Sequence, residues 1–186
     1  QNEPMSFPIK GFIETSFVDW PGKIASIVFL PLCNFRCPYC HNCDLVLDPD
    51  QFPSFPMDYI IGQLRHFGKW IDGVCITGGE PTLLPNLTEL INTLRNEQML
   101  VKLDTNGSQP EIVEQLIRDR LVDCISMDVK APFDTELYSR CSGVQVNLDN
   151  IKASVDLLRS NRIPYQFRTT VVPTLHTEDN LVQLAH

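Results

Sequence analysis

Four of the seven cysteines in this chain, Cys33, Cys37, Cys40 and Cys43, fall within eleven residues. The first three have the spacing C-x3-C-x2-C in the run CNFRCPYCHN. Pro31, Asn34 and Pro38 disfavour helix, so the segment reads as a loop whose three sulfurs turn inward around one metal centre. Thiolates in a short loop suit zinc or an iron–sulfur cluster. Structural zinc needs four ligands, and His41 and Cys43 are both candidates for the fourth. Such sites usually combine two ligand pairs from separated segments, and no second Cys/His pair is present. A cluster held by three cysteines instead leaves one iron open, as a catalytic metal requires.

Three other segments carry polar chemistry. Gly78-Gly79-Glu80-Pro81 combines two glycines, which permit a sharp turn and close approach to a ligand, with a carboxylate suited to an ammonium group. Its plain alternative is a strand-to-helix turn with Pro81 at the first helical position. Asp104-Thr105-Asn106-Gly107 contains an ordinary Asn-Gly turn signal. Asp128 and Lys130 fall on the same side of an extended chain, as a shared pocket requires.

Each of these segments follows an apolar run that reads as a strand: 24–30, 74–77, 100–104, 123–127 and 165–172. Between the runs, Ile60, Ile61, Leu64 and Phe67 recur at helical spacing, as do Leu87, Leu90, Ile91 and Leu94. Ile112, Val113, Leu116 and Ile117 mark a third helix; Leu148, Ile151, Val155 and Leu158 mark a fourth. Strands alternating with helices predict an α/β fold with a parallel sheet, whose active site assembles at the carboxyl ends of the strands. The Pro-rich stretch 48–56 reads as a loop. A single domain over 1–186 is expected, with 1–23 as a lead segment and a last helix starting near Thr177, so that a barrel would lack its C-terminal end.

Composition narrows the function classes. Fifteen basic against 23 acidic residues give a net charge of −8, which argues against nucleic acid or an anionic membrane as the main partner. No apolar run approaches the ~20 residues of a membrane span, and the start lacks the pattern of a secretory signal, so a cytoplasmic protein is expected. In that reducing compartment cysteines are ligands or buried thiols rather than disulfides. Cys75 and Cys124, inside apolar runs, read as core residues. Cys141, in YSRCSG, is expected in a loop. His66, His176 and His186 are expected to face solvent, Trp20 and Trp70 to pack, and Val171 and Val172 to pack at least as readily as to bind.

The run CNFRCPYCHN, with an aromatic before its third cysteine, resembles the signature of radical S-adenosylmethionine (SAM) enzymes. The longer stretch TSFVDWPGKIASIVFLPLCNFRCPYCHN resembles the opening of activating enzymes for glycyl radical enzymes, above all anaerobic ribonucleoside-triphosphate reductase activating proteins. The resemblance runs from about Ile9 to Pro173. It departs at Leu32, where the family usually has Gly, and at Cys43, where Pro is common. It implies a partial (β/α) TIM-type barrel of about five to six parallel strands, open for a protein substrate. It also implies a 4Fe-4S cluster on Cys33, Cys37 and Cys40, and SAM contacts from Tyr39, Cys40, His41, Gly78, Gly79, Glu80, Asp104, Thr105, Asn106, Asp128, Lys130 and Arg168. Asp104 and Asp128 are implied as able to hold a monovalent cation, and DWPGK is implied to lie near the cluster. The implied partners are anaerobic ribonucleotide reductase as substrate and a flavodoxin or ferredoxin-type electron donor. Two alternatives stay open: a radical SAM enzyme acting on a metabolite, such as a 7-carboxy-7-deazaguanine synthase, and a non-catalytic iron–sulfur or zinc-binding electron-transfer module with Cys43 as fourth ligand.

Overall fold

The apolar runs pair into one sheet of six strands in sequential order: β1 (Gly11–Ser16), β2 (Ala25–Leu30), β3 (Gly73–Gly78), β4 (Leu100–Thr105), β5 (Cys124–Asp128) and β6 (Tyr165–Arg168). The structure, a computed structural model, describes residues 6–185. β1 is antiparallel to β2, and every later pairing is parallel. β1 and β6 are the two edges, so the sheet is a partial (β/α) barrel.

Among the described residues seven helices accompany it: α1 (Cys43–Leu47), α2 (Met57–Phe67), α3 (Leu87–Asn96), α4 (Pro110–Arg118), α5 (Thr135–Ser142), α6 (Leu148–Ser160) and α7 (Glu178–Ala185). The helical period explains how they dock. In α3, Leu87, Leu90, Ile91 and Leu94 form one buried stripe against the sheet, each fully buried side chain contributing roughly 2 kcal/mol. On the sheet, Val28, Leu30, Val74, Ile76, Val101, Leu103, Ile125 and Met127 face this helical layer. The opposite face carries Ala25, Ile27, Cys75 and Cys124, floored by Trp20.

Several expectations change. β1 lies inside the lead segment; it is an edge strand with mixed exposure and gave no apolar run. α5 occupies the stretch read as a loop. Its signals were local, an Asp134 side chain accepting from the Leu137 N–H and Gly143 in the left-handed region at the end, and it buries Cys141 completely. His176 is buried rather than solvent-facing: its Nδ1 accepts from the Val172 N–H (3.0 Å), and its Nε2 lies 2.8 Å from the Lys130 carbonyl oxygen. Trp70 is 77% exposed instead of packed. β6 stops at Arg168, four residues short of the expected strand end, and Val171 is exposed. DWPGK lies at the amino ends of the strands, where Ile24 N–H donates to Asp72 just before β3; the cysteine loop follows the carboxyl end of β2. The Pro-rich loop contains one 3-10 turn, Pro49–Gln51. His66 is exposed as expected, and His186 lies outside the described residues.

Two glycines fix how the cysteine loop leaves the sheet. The Gly79 N–H donates to the Leu30 carbonyl (2.8 Å) and the Glu80 N–H to the Leu32 carbonyl (2.7 Å). A Cβ on Gly78 would meet Leu30 O at 2.3 Å, and one on Gly79 would meet Leu32 O at 1.7 Å. The glycines therefore admit a neighbouring backbone. Leu32 itself has φ of 68°, a left-handed conformation that favours glycine. Gly79→Ala is expected to cost more than about 2 kcal/mol in urea unfolding. Leu32→Gly should leave stability unchanged or raise it by up to about 1 kcal/mol, its relief of strain partly offset by a freer unfolded chain.

Candidate active site

Every residue expected at the site lines one cavity at the carboxyl ends of β2 to β6. The loop after β2 supplies Cys33, Cys37, Tyr39, Cys40 and His41. The end of β3 supplies Gly78, Gly79 and Glu80, β4 supplies Asp104, Thr105 and Asn106, and Asp128, Lys130 and Arg168 come from β5 and β6. Phe35, Asn42, Val46, Thr77 and Thr170 join them, residues whose types and spacing carried no signal of a site. Cys43 does not line the cavity. It opens α1, exposed, with its thiol beside Asp44 at 3.6 Å.

Burial shapes the thiols. It pushes Cys33 upward and Cys37 up to about 11, and nearby Lys130 only partly offsets this. Cys33 Sγ accepts from the Phe35 N–H at 3.3 Å and faces Asn106 Nδ2 at 3.9 Å. Asn106 also donates from Nδ2 to Asn34 Oδ1 (2.9 Å), and Asn34 donates to Ser108 Oγ (2.8 Å), which ties the cysteine loop to the end of β4.

Glu80 is 2% exposed. Its Oε1 accepts from the Thr82 N–H (3.2 Å), Thr82 Oγ1 (2.5 Å) and Thr105 Oγ1 (2.6 Å), and its Oε2 accepts from the Asn106 N–H (2.6 Å). Burial pushes this carboxyl above its ordinary value despite those donors. Glu80 thus buttresses the site, joining the β3 turn to β4, and Oε2 keeps acceptor capacity for a further donor.

Beside it runs a row of alternating charges. Lys102 pairs with Asp104, Asp104 with Arg168 (3.1 Å), Arg168 with Asp128 (2.9 Å), and Asp128 with Lys130 (3.0 Å). The two carboxylates expected to hold a monovalent cation are therefore bound by cations of the chain itself. Burial pushes the Asp128 carboxyl up, but Lys130 and Arg168 outweigh it and hold it below its usual value. Lys130 moves upward, its desolvation outweighed by Asp128. Sequence reasoning missed Lys102; the signal was a charged residue inside a strand expected to be covered on both faces.

A family profile described as the radical SAM superfamily matches residues 27–185. The chain belongs to the radical SAM superfamily. A Methanocaldococcus jannaschii protein named, provisionally, as a glycyl-radical enzyme activating enzyme is 32% identical over 180 residues, covering 95% of this chain and 73% of that protein. The 7-carboxy-7-deazaguanine synthase of Neisseria meningitidis is 35% identical over 120 residues, covering 64% of this chain and 50% of the enzyme. Among solved structures, Streptococcus suis SuiB is similar in fold with a TM-score of 0.60 at 20% identity, covering 86% of this chain and 35% of SuiB. The chain thus spans between about a third and three quarters of these proteins' lengths.

Radical SAM enzymes use a 4Fe-4S cluster and SAM. The donor set here fits the cluster: three thiols from one loop face one cavity, and the nearby fourth points elsewhere. Burial disfavours free thiolates at Cys33 and Cys37, and a cationic iron centre stabilises them. The Tyr39 hydroxyl, buried on the cavity wall with no partner among the described residues, also fits a site that receives another group.

The charge row makes a pH prediction. A depressed Asp128 contributes stability that is fully present above the ordinary aspartate pKa and is lost as pH falls through its lower folded value. The gap in urea midpoint between the wild type and Asp128→Asn should accordingly be widest near neutrality and narrow below about pH 4. A gap independent of pH would contradict the ion pairing.

Proposed function

We propose that this chain carries the catalytic core of a glycyl-radical enzyme activating enzyme, with anaerobic ribonucleotide reductase as the protein substrate. The observation that carries the reading is the single cavity joining three cysteines, a buttressed Glu80 and the charge row, in a chain that aligns over 95% of its length with a protein named for that activity. We read residues 1–186 as one radical SAM domain with 1–23 as its lead. A cytoplasmic location with a flavodoxin or ferredoxin-type donor completes the proposal; among the described residues no helix is long and apolar enough to cross a membrane.

When bound, a reduced cluster and SAM would supply one-electron reductive cleavage of the sulfonium, the radical chemistry that would generate a glycyl radical on the partner. This chain's residues bind and orient. Cys33, Cys37 and Cys40 would hold the cluster. Glu80 Oε2 is placed to accept from an ammonium, and Lys130 and Arg168 present cations to a carboxylate. The Asp104-Thr105-Asn106 turn fixes Glu80 and faces Cys33, so the amino-acid end of the cofactor would meet groups already immobilised by one another. Tyr39 and His41 stand on the cysteine side of the same cavity.

Anaerobic reconstitution tests this. Reduced wild type should convert SAM to methionine and 5'-deoxyadenosine, and should install a glycyl radical on the reductase from the same source, read by electron paramagnetic resonance. Cys37→Ala should lose the cluster and reduce cleavage below detection. Cys43→Ala should keep both; loss of the cluster in that variant would revive the four-ligand module. The deazaguanine synthase match supports a second reading, a metabolite substrate. Cleavage without any radical on the reductase would favour it.

A further inference from the structure

A lysine lies hidden beneath the charge row. Lys102 on β4 is completely buried and does not line the cavity, whereas the other four members of the row do. Its register neighbours are Cys75 on β3 and Cys124 on β5, on the apolar face floored by Trp20. Removing an ammonium from water into such surroundings is costly, and replacing a buried ion pair as a whole by apolar side chains of similar volume is often neutral or stabilising. Stability alone therefore gives no reason for a lysine paired with an aspartate at this place.

The charges give one. Asp104 turns Oδ1 to the Lys102 ammonium, while Oδ2 receives Arg168 Nη1 at 3.1 Å and Thr77 Oγ1 at 3.3 Å. Arg168 uses Nε for Asp128, so its guanidinium is gripped at two points by two different carboxylates and keeps N–H donors unspent. With Lys102, three cations face two carboxylates, and the row carries one excess positive charge. Without it the excess vanishes, and both Asp104 oxygens are free to close a bidentate fork on the guanidinium.

We propose that Lys102 is a positioning residue: by occupying and neutralising Asp104 from beneath, it keeps the Arg168 guanidinium and one net positive charge available to a carboxylate-bearing ligand in the cavity. Under the proposed function that ligand is the amino-acid end of SAM, and the inference rests on that reading. Lys102 touches no ligand; it acts through Asp104.

The test compares the binding of SAM and of its decarboxylated analogue by the reconstituted, unreduced protein, using equilibrium dialysis so that no turnover is needed. Wild type should prefer SAM. Lys102→Met should retain its iron yet bind SAM at least about tenfold more weakly, as expected for loss of a charge-assisted contact, while the analogue binds nearly as before. The preference for SAM therefore shrinks by that factor. A purely structural lysine would weaken both ligands alike. Should an unpaired Asp104 prevent Lys102→Met from folding, Lys102→Gln keeps a donor to Asp104 but not the charge, and it should show the same shrunken preference. A preference retained in the variants overturns the inference, as does the failure of both to fold and take up iron, which would make Lys102 structural. Wild type that binds no SAM overturns the underlying functional reading instead.

Discussion

The site depends on a backbone contact that only glycine permits. Past the end of the parallel β2–β3 ladder, the Gly79 and Glu80 N–H groups continue to pair with the carbonyls of Leu30 and Leu32. That close approach fixes where the cysteine loop departs. From there a closed circuit of hydrogen bonds runs from Glu80 to Thr105 and Asn106, from Asn106 to Asn34 and the Cys33 sulfur, and back to the loop. Each link is short in space and long in sequence, so the circuit exists only after the strands are in register. A side chain at either glycine would push the loop outward and open it.

Burial and charge compete across the rest of the cavity. Glu80, Cys33 and Cys37 are driven toward their neutral forms by loss of water, while Asp128 is held ionised by its two cations. The cavity thus has one wall of desolvated donors suited to a positively charged metal centre and another of compensated ion pairs. Placing them on opposite sides of Glu80 gives a two-ended ligand such as an amino acid two different surfaces to meet.

The residues that sequence reasoning placed well share a property: their chemistry is written in a contiguous run. CNFRCPYC, GGEP, DTNG and DVK each come directly after an apolar strand, and parallel strands deliver the segments at their carboxyl ends to one edge. The misplaced residues lack that property. Cys141 and His176 look isolated because they meet each other, and the Lys130 carbonyl, only across separate elements. Lys102 passed unnoticed because burial of a strand residue is decided by the neighbouring strands. The glycines were read as admitting a ligand, and they also admit a backbone, since a sequence shows the absence of a Cβ but not what occupies the space.

By itself, then, the sequence determined the α/β class, the carboxyl edge as the working edge and nearly all the side chains on it, because periodicity and short motifs are local properties. The tertiary structure alone decided that Cys43 faces away from the cavity while Cys33, Cys37 and Cys40 face into it, that Glu80 is braced before any ligand arrives, and that Arg168 stands between two aspartates. Those outcomes turn on which groups lose water together and on hydrogen bonds between strands far apart in the chain, neither of which is set by spacing along it.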